Sequence, residues 1–248
     1  LAGAARLSRR ARRLLLLGAG VLASGLVTAL LVSPPHSLLD RVAAAFPGCR
    51  YYVATGRRAV ALTIDDGPDP ATTPALLDLL ARHRARATFF VITEHLHGQE
   101  ALAERIVREG HELGNHLVRD MPSVRLDSAA FETAVRSADG ALRRYGGARW
   151  LRPASGWYSR RMIRTLHRHG YRCALGSVYP LDAALPSAAF ASRYVLRNVR
   201  PGSIVVLHDG GERGRRTLRT LAAVLPELRR RGYAVLTLSA LDGLARRR

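Results

Sequence analysis

From Cys49 onward, short apolar runs alternate with longer amphipathic stretches, and this alternation restricts the fold more than any other feature of the chain. Short apolar runs bounded by turn residues read as strands, and longer stretches with apolar residues at helical spacing read as helices. Strands are expected at 59–64, 87–92, 112–115, 150–151, 171–175, 203–207 and 233–236, with helices at 74–84, 102–108, 128–145, 159–168, 188–198 and 215–231. Strand and helix taking turns is the pattern of an α/β domain. About seven such strands fit either a doubly wound sheet or a (β/α) barrel short of the usual eight units, and the pattern alone does not choose between them.

Ahead of this domain, residues 14–32 read LLLLGAGVLASGLVTALLV, an uncharged run long enough to cross a hydrocarbon core of about 30 Å. It is apolar on every face, unlike the one-sided stripe of a helix resting on a soluble core. Arg6, Arg9, Arg10, Arg12 and Arg13 precede it and few charges follow, which places the N-terminus in the cytoplasm and the rest of the chain across the membrane. A cleaved signal peptide, with secretion as its outcome, is the competing reading. Ser33, Pro34 and Pro35 end the run. The expected division is a basic N-terminus and transmembrane or signal-anchor helix at 1–33, a linker at 34–48 and a catalytic domain at 49–248, extracytoplasmic on either reading.

The 248 residues carry a formal net charge of +20, and all 39 basic residues are arginine. A cationic surface favours anionic polymers, anionic lipid or nucleic acid. The arginines are scattered through the expected helices instead of forming one patch interleaved with aromatic residues, so nucleic acid is not an expected partner. Cys49 and Cys173 are the only cysteines and lack C-x-x-C spacing, which excludes a zinc knuckle or a thioredoxin-like site and leaves a single disulfide open.

In parallel α/β folds the loops leaving the carboxyl ends of the strands converge on one site, and in this chain those ends carry the reactive residues. The run 59–64 leads into Asp65-Asp66-Gly67-Pro68. Two adjacent carboxylates repel unless a cation neutralises one, which calls for a metal or for Arg152 nearby; a turn that merely redirects the chain is the structural alternative. The run 112–115 leads into His116, with Asp120 four residues on. That pair can reach one metal, with Asp66 completing a three-residue set that leaves positions open for water, although an exposed loop has the same spacing. Arg152 and Pro153 follow 150–151, while Gly176, Tyr179 and Asp182 follow 171–175. The run 203–207 ends in His208-Asp209-Gly210, where an imidazole suits proton donation to a leaving amine; a core histidine is the other reading.

Taken together, LTIDDGP, GNHLVRD, LRPASGWY and VVLHDG resemble, in order and spacing across 49–248, the NodB-type polysaccharide deacetylases, carbohydrate esterase family 4. The resemblance implies a distorted (β/α) barrel of about seven parallel strands. It implies that Asp65 is the general base, that Asp66 and His116 bind one divalent metal ion, and that Arg152 orients Asp65. It further implies that His208 is the general acid, supported by Asp182, and that the backbone N–H of Ser155 helps to hold the oxyanion. Trp157 and Tyr158 are expected to line the sugar site, and Leu207 to help enclose the acetyl methyl.

Four positions depart from the family pattern. Asp120 replaces the second metal-binding histidine, and a set of one imidazole and two carboxylates is a harder one, favouring Mn, Co or Fe relative to Zn. Ser155 stands for tyrosine, Tyr179 for the first aspartate of its segment and Ala183 for tryptophan. The implied activity is metal-dependent removal of N-acetyl groups from an aminosugar polysaccharide that is chitin-like, peptidoglycan or exopolysaccharide. A catalytically silent glycan-binding protein, or an O-acetyl esterase or deformylase acting on an envelope sugar, is the alternative.

Overall fold

The structure, a computed structural model, describes residues 36–245. The span expected at 14–32 lies outside the described residues, and no described helix is long and apolar enough to cross a membrane. The chain divides into two compact units, 1–41 and 42–248. The first is described only at 36–41, within helix α1 (His36–Ala45), so the stretch expected as a linker contains a helix.

The second unit is built on eight strands: β1 (Cys49–Arg50), β2 (Ala59–Asp65), β3 (Ala87–Val91), β4 (Glu112–Asn115), β5 (Trp150–Leu151), β6 (Arg172–Ala174), β7 (Ile204–His208) and β8 (Ala234–Leu236). Their order is β1-β6-β5-β4-β3-β2-β7, every pairing parallel, with β8 joining the start of β2. Beyond β6 the chain crosses to β7, where Val178 bridges Val205, and after β1 Tyr52 bridges Ser203. Both edges of the sheet thus meet and it curls into a distorted barrel. All seven expected strands occur; β1 was not expected.

The expected helices are present as α2 (Thr73–Arg82), α3 (Glu100–Arg108), α4 (Ser128–Arg143), α5 (Arg160–Arg168), α6 (Ala188–Asn198) and α7 (Gly211–Arg230), followed by the short α8 (Leu238–Asp242). Side-chain caps fix where several begin: Asp127 accepts from the Ala130 N–H, Ser159 from Met162 and Ser187 from Phe190.

All of β2 is buried, as for a strand covered on both faces. Period-two alternation divides it. Val60 and Leu62 pack outward with Val205 and Leu207 of β7 against Val195 of α6 and Leu221, Val224 and Leu225 of α7. Ala59 and Ala61 face the barrel interior with Phe90, Trp150, Ala174 and Ile204, and Leu238 and Leu241 of α8 plug that end. Thr63 and Asp65 continue the inward row, so the interior is apolar at the amino ends of the strands and polar at the carboxyl ends.

Register places Cys49 opposite Cys173 in the β1–β6 pair, and the two form a disulfide. It closes a loop across a separation of 124 residues, worth roughly 5 kcal/mol against the unfolded chain. Gly202, at φ 85°, allows the closest backbone approach: a Cβ there would lie 1.8 Å from the Val53 carbonyl oxygen.

Candidate active site

Asp65 ends β2 at the barrel mouth, 3% exposed. Its Oδ1 accepts from Arg152 Nη1 at 2.5 Å, and the same nitrogen donates to Thr63 Oγ1 at 2.8 Å. Arg152 Nε donates to the Ala174 carbonyl (3.2 Å) and Nη2 to that of Leu175 (2.9 Å), while the guanidinium carbon lies 4.2 Å above the Phe90 ring. With every arm of the guanidinium committed, Arg152 presents one fixed direction to the carboxylate.

Successive strand residues face opposite sides, so a second carboxylate at position 66 would be expected to point away. Asp66 instead adopts φ 76°, a left-handed conformation costly for a side-chain-bearing residue, and this turn brings it back to the same mouth. His95 Nδ1 donates to the Asp66 carbonyl at 2.8 Å and helps hold the turn. Asp66 Oδ1 lies 3.5 Å from His116 Nε2, and Oδ2 accepts from Arg213 Nη1 at 2.8 Å. Burial pushes the Asp66 carboxyl up, but His116, His208 and Arg213 outweigh it and hold the group below the usual carboxylate value.

His116 is 4% exposed at the end of β4, and its Nδ1–H donates to the Arg152 carbonyl at 2.7 Å. That bond fixes the ring and leaves Nε2 facing Asp66 and the cavity, the orientation of a metal-ligating imidazole. Burial pushes its pKa down, yet Asp66, Asp65 and the Arg152 carbonyl more than compensate and raise it.

His208 ends β7, in direct register with Asp65 on β2. Its Nδ1 bonds Asp182 Oδ1 at 2.9 Å, and its backbone N–H donates to Asp182 Oδ2 at the same distance. Asp182 is fully buried, and Arg216 donates to its carbonyl. Burial disfavours the imidazolium, but Asp182 outweighs it, and the His208 pKa lies above the ordinary histidine value.

These groups share a cavity of about 440 Å³, which Ser155, Tyr179 and Ala183 also line. The Tyr179 ring meets His208 edge-on at 5.7 Å between centroids. Ser155 is in a left-handed conformation (φ 65°) at the turn after Pro153. Other expected contacts are not brought together. Leu207 points to the helix side, because His208, its neighbour on the same strand, points inward; Val206 lines the cavity instead. Trp157 is 71% exposed and does not line the cavity, and the Tyr158 hydroxyl is turned to the Phe46 carbonyl and the Tyr51 hydroxyl.

For a divalent cation, the donor chemistry of Asp66 and His116 fits. Asp120 lines the same cavity, but its side chain is 59% exposed and its Oδ2 lies 4.0 Å from Arg213 Nη2. Among the described residues no three His, Cys, Asp or Glu side chains form a ready-made metal cluster.

Sequence reasoning missed Arg213, Thr63 and Arg216 in this site, and the role of Asp209. Asp209 is buried and accepts from Thr72 Oγ1 (2.5 Å) and Thr73 Oγ1, while its N–H donates to the Asp65 carbonyl at 2.8 Å. It ties the loop after β7 to the loop after β2. Arg213 had a legible signal: it lies five residues beyond His208, in the first turn of the helix leaving that strand end.

A model of the polysaccharide deacetylase family matches residues 52–174. A chitooligosaccharide deacetylase of a Bradyrhizobium species is 36% identical over 205 residues, covering 77% of this chain and 94% of its own length. The chain belongs to the polysaccharide deacetylase family. It is accordingly a hydrolase of linear amide C–N bonds other than peptide bonds. A peptidoglycan N-acetylglucosamine deacetylase crystallised with 4-naphthalen-1-yl-N-oxidanyl-benzamide shares the fold with a TM-score of 0.75 at 25% identity, covering 83% of this chain and 98% of its own. A family 4 acetyl xylan esterase from Clostridium thermocellum, in complex with a cobalt ion, gives 0.70 at 28% identity, covering 75% and 91%. This deacetylase family generally uses a divalent metal.

Proposed function

We propose that this deacetylase removes N-acetyl groups from an aminosugar polymer of the cell envelope, with Asp65 as general base and His208 as general acid. The observation that carries the reading is their juxtaposition. Each is oriented by a buried partner, Arg152 or Asp182, and they stand in register on adjacent strands at one cavity.

Asp65 takes a proton from water as the water oxygen attacks the acetamide carbonyl, forming a tetrahedral oxyanion. The Ser155 N–H is the protein donor assigned to that oxygen. His208 then gives its proton to the nitrogen as the C–N bond breaks, releasing acetate and a free amine. Asp182 raises the His208 pKa against the effect of burial, which favours the protonated imidazole. Asp66 and His116, with Asp120 as the third donor, are the residues that would hold a divalent ion. Such an ion, when bound, supplies polarisation of the carbonyl and acidification of the attacking water. Mn, Co and Zn are the candidates, and the two carboxylates weight the set toward the harder ions.

The proposed location is outside the cytoplasm, tethered by 14–32 or released after its cleavage. The flanking arginines of that run support it, as does the Cys49–Cys173 disulfide, a bond that persists in oxidising compartments. The polymer and the membrane are the proposed partners.

The test is acetate release by the full chain from N-acetylated chitooligosaccharide and from peptidoglycan, after chelation and after return of Mn, Co or Zn. Metal-restored release that Asp65→Asn abolishes is expected, and the better substrate identifies the polymer. Glycan binding without release under any metal would make the chain a binding protein and overturn the reading.

A further inference from the structure

At the mouth, Asp65 is matched by Arg152 and Asp182 by His208, while Asp66 faces His116 and, together with Asp120, the guanidinium of Arg213. Arg213 Nη1 lies 2.8 Å from Asp66 Oδ2 and Nη2 lies 4.0 Å from Asp120 Oδ2, so one guanidinium spans two of the three groups assigned to the metal. The Asp66 side chain is 11% exposed, whereas that of Arg213 is 41% exposed, so Arg213 can swing into solvent while Asp66 cannot. Asp120 thus lies beside Arg213, and among the described residues no three-donor cluster is formed.

A divalent ion on Asp66 and a guanidinium on the same carboxylate repel, and at such separations in a partly buried site that repulsion is not screened away. We propose that Arg213 is the resident counter-cation of the Asp66–Asp120 pair, so that a divalent ion enters by displacing it and Arg213 sets the metal affinity of this deacetylase. This rests on the metal reading above. The sign is opposite to that of a residue that merely shapes the site. Removing Arg213 should tighten metal binding while weakening the metal-free protein, whose buried Asp66 then keeps only His116 as a neighbour of opposite charge. Coupling between the two cations is reciprocal, so both effects measure the same competition.

The experiment titrates Co or Mn into chelated full-length wild type, Arg213→Gln and His116→Gln by calorimetry, with thermal unfolding of each in the presence and absence of metal. Expected for Arg213→Gln are a dissociation constant at least about fivefold lower than wild type, a lower midpoint without metal, and a larger rise on metal addition. His116→Gln should lose the binding. Equal or weaker affinity in Arg213→Gln overturns the displacement. Binding by none of the chains, or binding unaffected in His116→Gln, overturns the metal reading at this site and the displacement with it.

Discussion

One strand carries a histidine at each end, and the two behave oppositely. His111, immediately before β4, is 6% exposed; its Nδ1 accepts the Ala87 N–H, and its Nε2 has no hydrogen-bond partner among the described residues. Burial pushes its pKa down to about 4, so it is a neutral packing residue. His116, just after the strand, gives Nδ1–H to a carbonyl and faces a carboxylate with Nε2, and its pKa is raised. The same contrast holds for the arginine–aspartate contacts. At the amino end Arg50, Arg149 and Arg172 converge on Asp242 while partly exposed; at the carboxyl end a single buried Arg152 holds Asp65. Residue type is therefore a poor guide to role in this barrel. What separates the ends is that α8 plugs one and the other opens into a cavity with its charges paired and fixed.

The sharpest way to break this contrast is Asp65→Asn beside Asp242→Asn. The first should lower kcat by roughly 100- to 10,000-fold, and lower the melting temperature as well because it leaves the buried Arg152 without its carboxylate. The second should leave kcat unchanged; if it fell as far, the open end would not be where the chemistry occurs. Next, reducing the Cys49–Cys173 disulfide, or Cys173→Ser, should cost roughly 5 kcal/mol in urea unfolding. Turnover measured well below the melting temperature should survive, because the bond joins β1 to β6 away from the mouth.

Comparable in stability but joined to function is Arg152→Met, which leaves a buried carboxylate uncompensated at about 3–5 kcal/mol. Arg172→Met at the partly exposed end should cost about 1 kcal/mol or less, and equal losses would erase the distinction between the ends. Two smaller effects are read from pH. His208 must be protonated to act, so the alkaline limb of the kcat profile should lie above the ordinary histidine value, and Asp182→Asn should move it to lower pH. His111, with its folded pKa depressed, contributes stability that is present above about pH 6.5 and lost as pH falls toward 4. In His111→Gln the drop in melting temperature between pH 7 and pH 4.5 should shrink; an unchanged drop would remove His111 as its source.

Much of this site was legible before any coordinates. Asp65, Asp66, His116, Arg152, Asp182 and His208 stand at the ends of apolar runs, and a parallel α/β fold must bring such ends together. Leu207 was misplaced although the sequence held the answer, since two consecutive strand residues cannot both face one cavity. Trp157 and Tyr158 stand outside the cavity, after the turn at Ser155, whose positive φ no periodicity announces. Arg213 was missed because, in a chain with 39 basic residues, its one signal, a place in the first turn of the helix leaving the His208 strand end, was easily overlooked.

By itself the sequence determined the α/β class, the strands and most helices, and the family, because these rest on hydrophobic period and on motifs contiguous in the chain. The tertiary structure decided that the sheet curls closed, that Cys49 meets Cys173, that Asp66 turns back beside Asp65, and that Arg213 stands between Asp66 and Asp120. Each of these depends on register between distant strands or on one backbone dihedral, and neither is encoded in a local pattern.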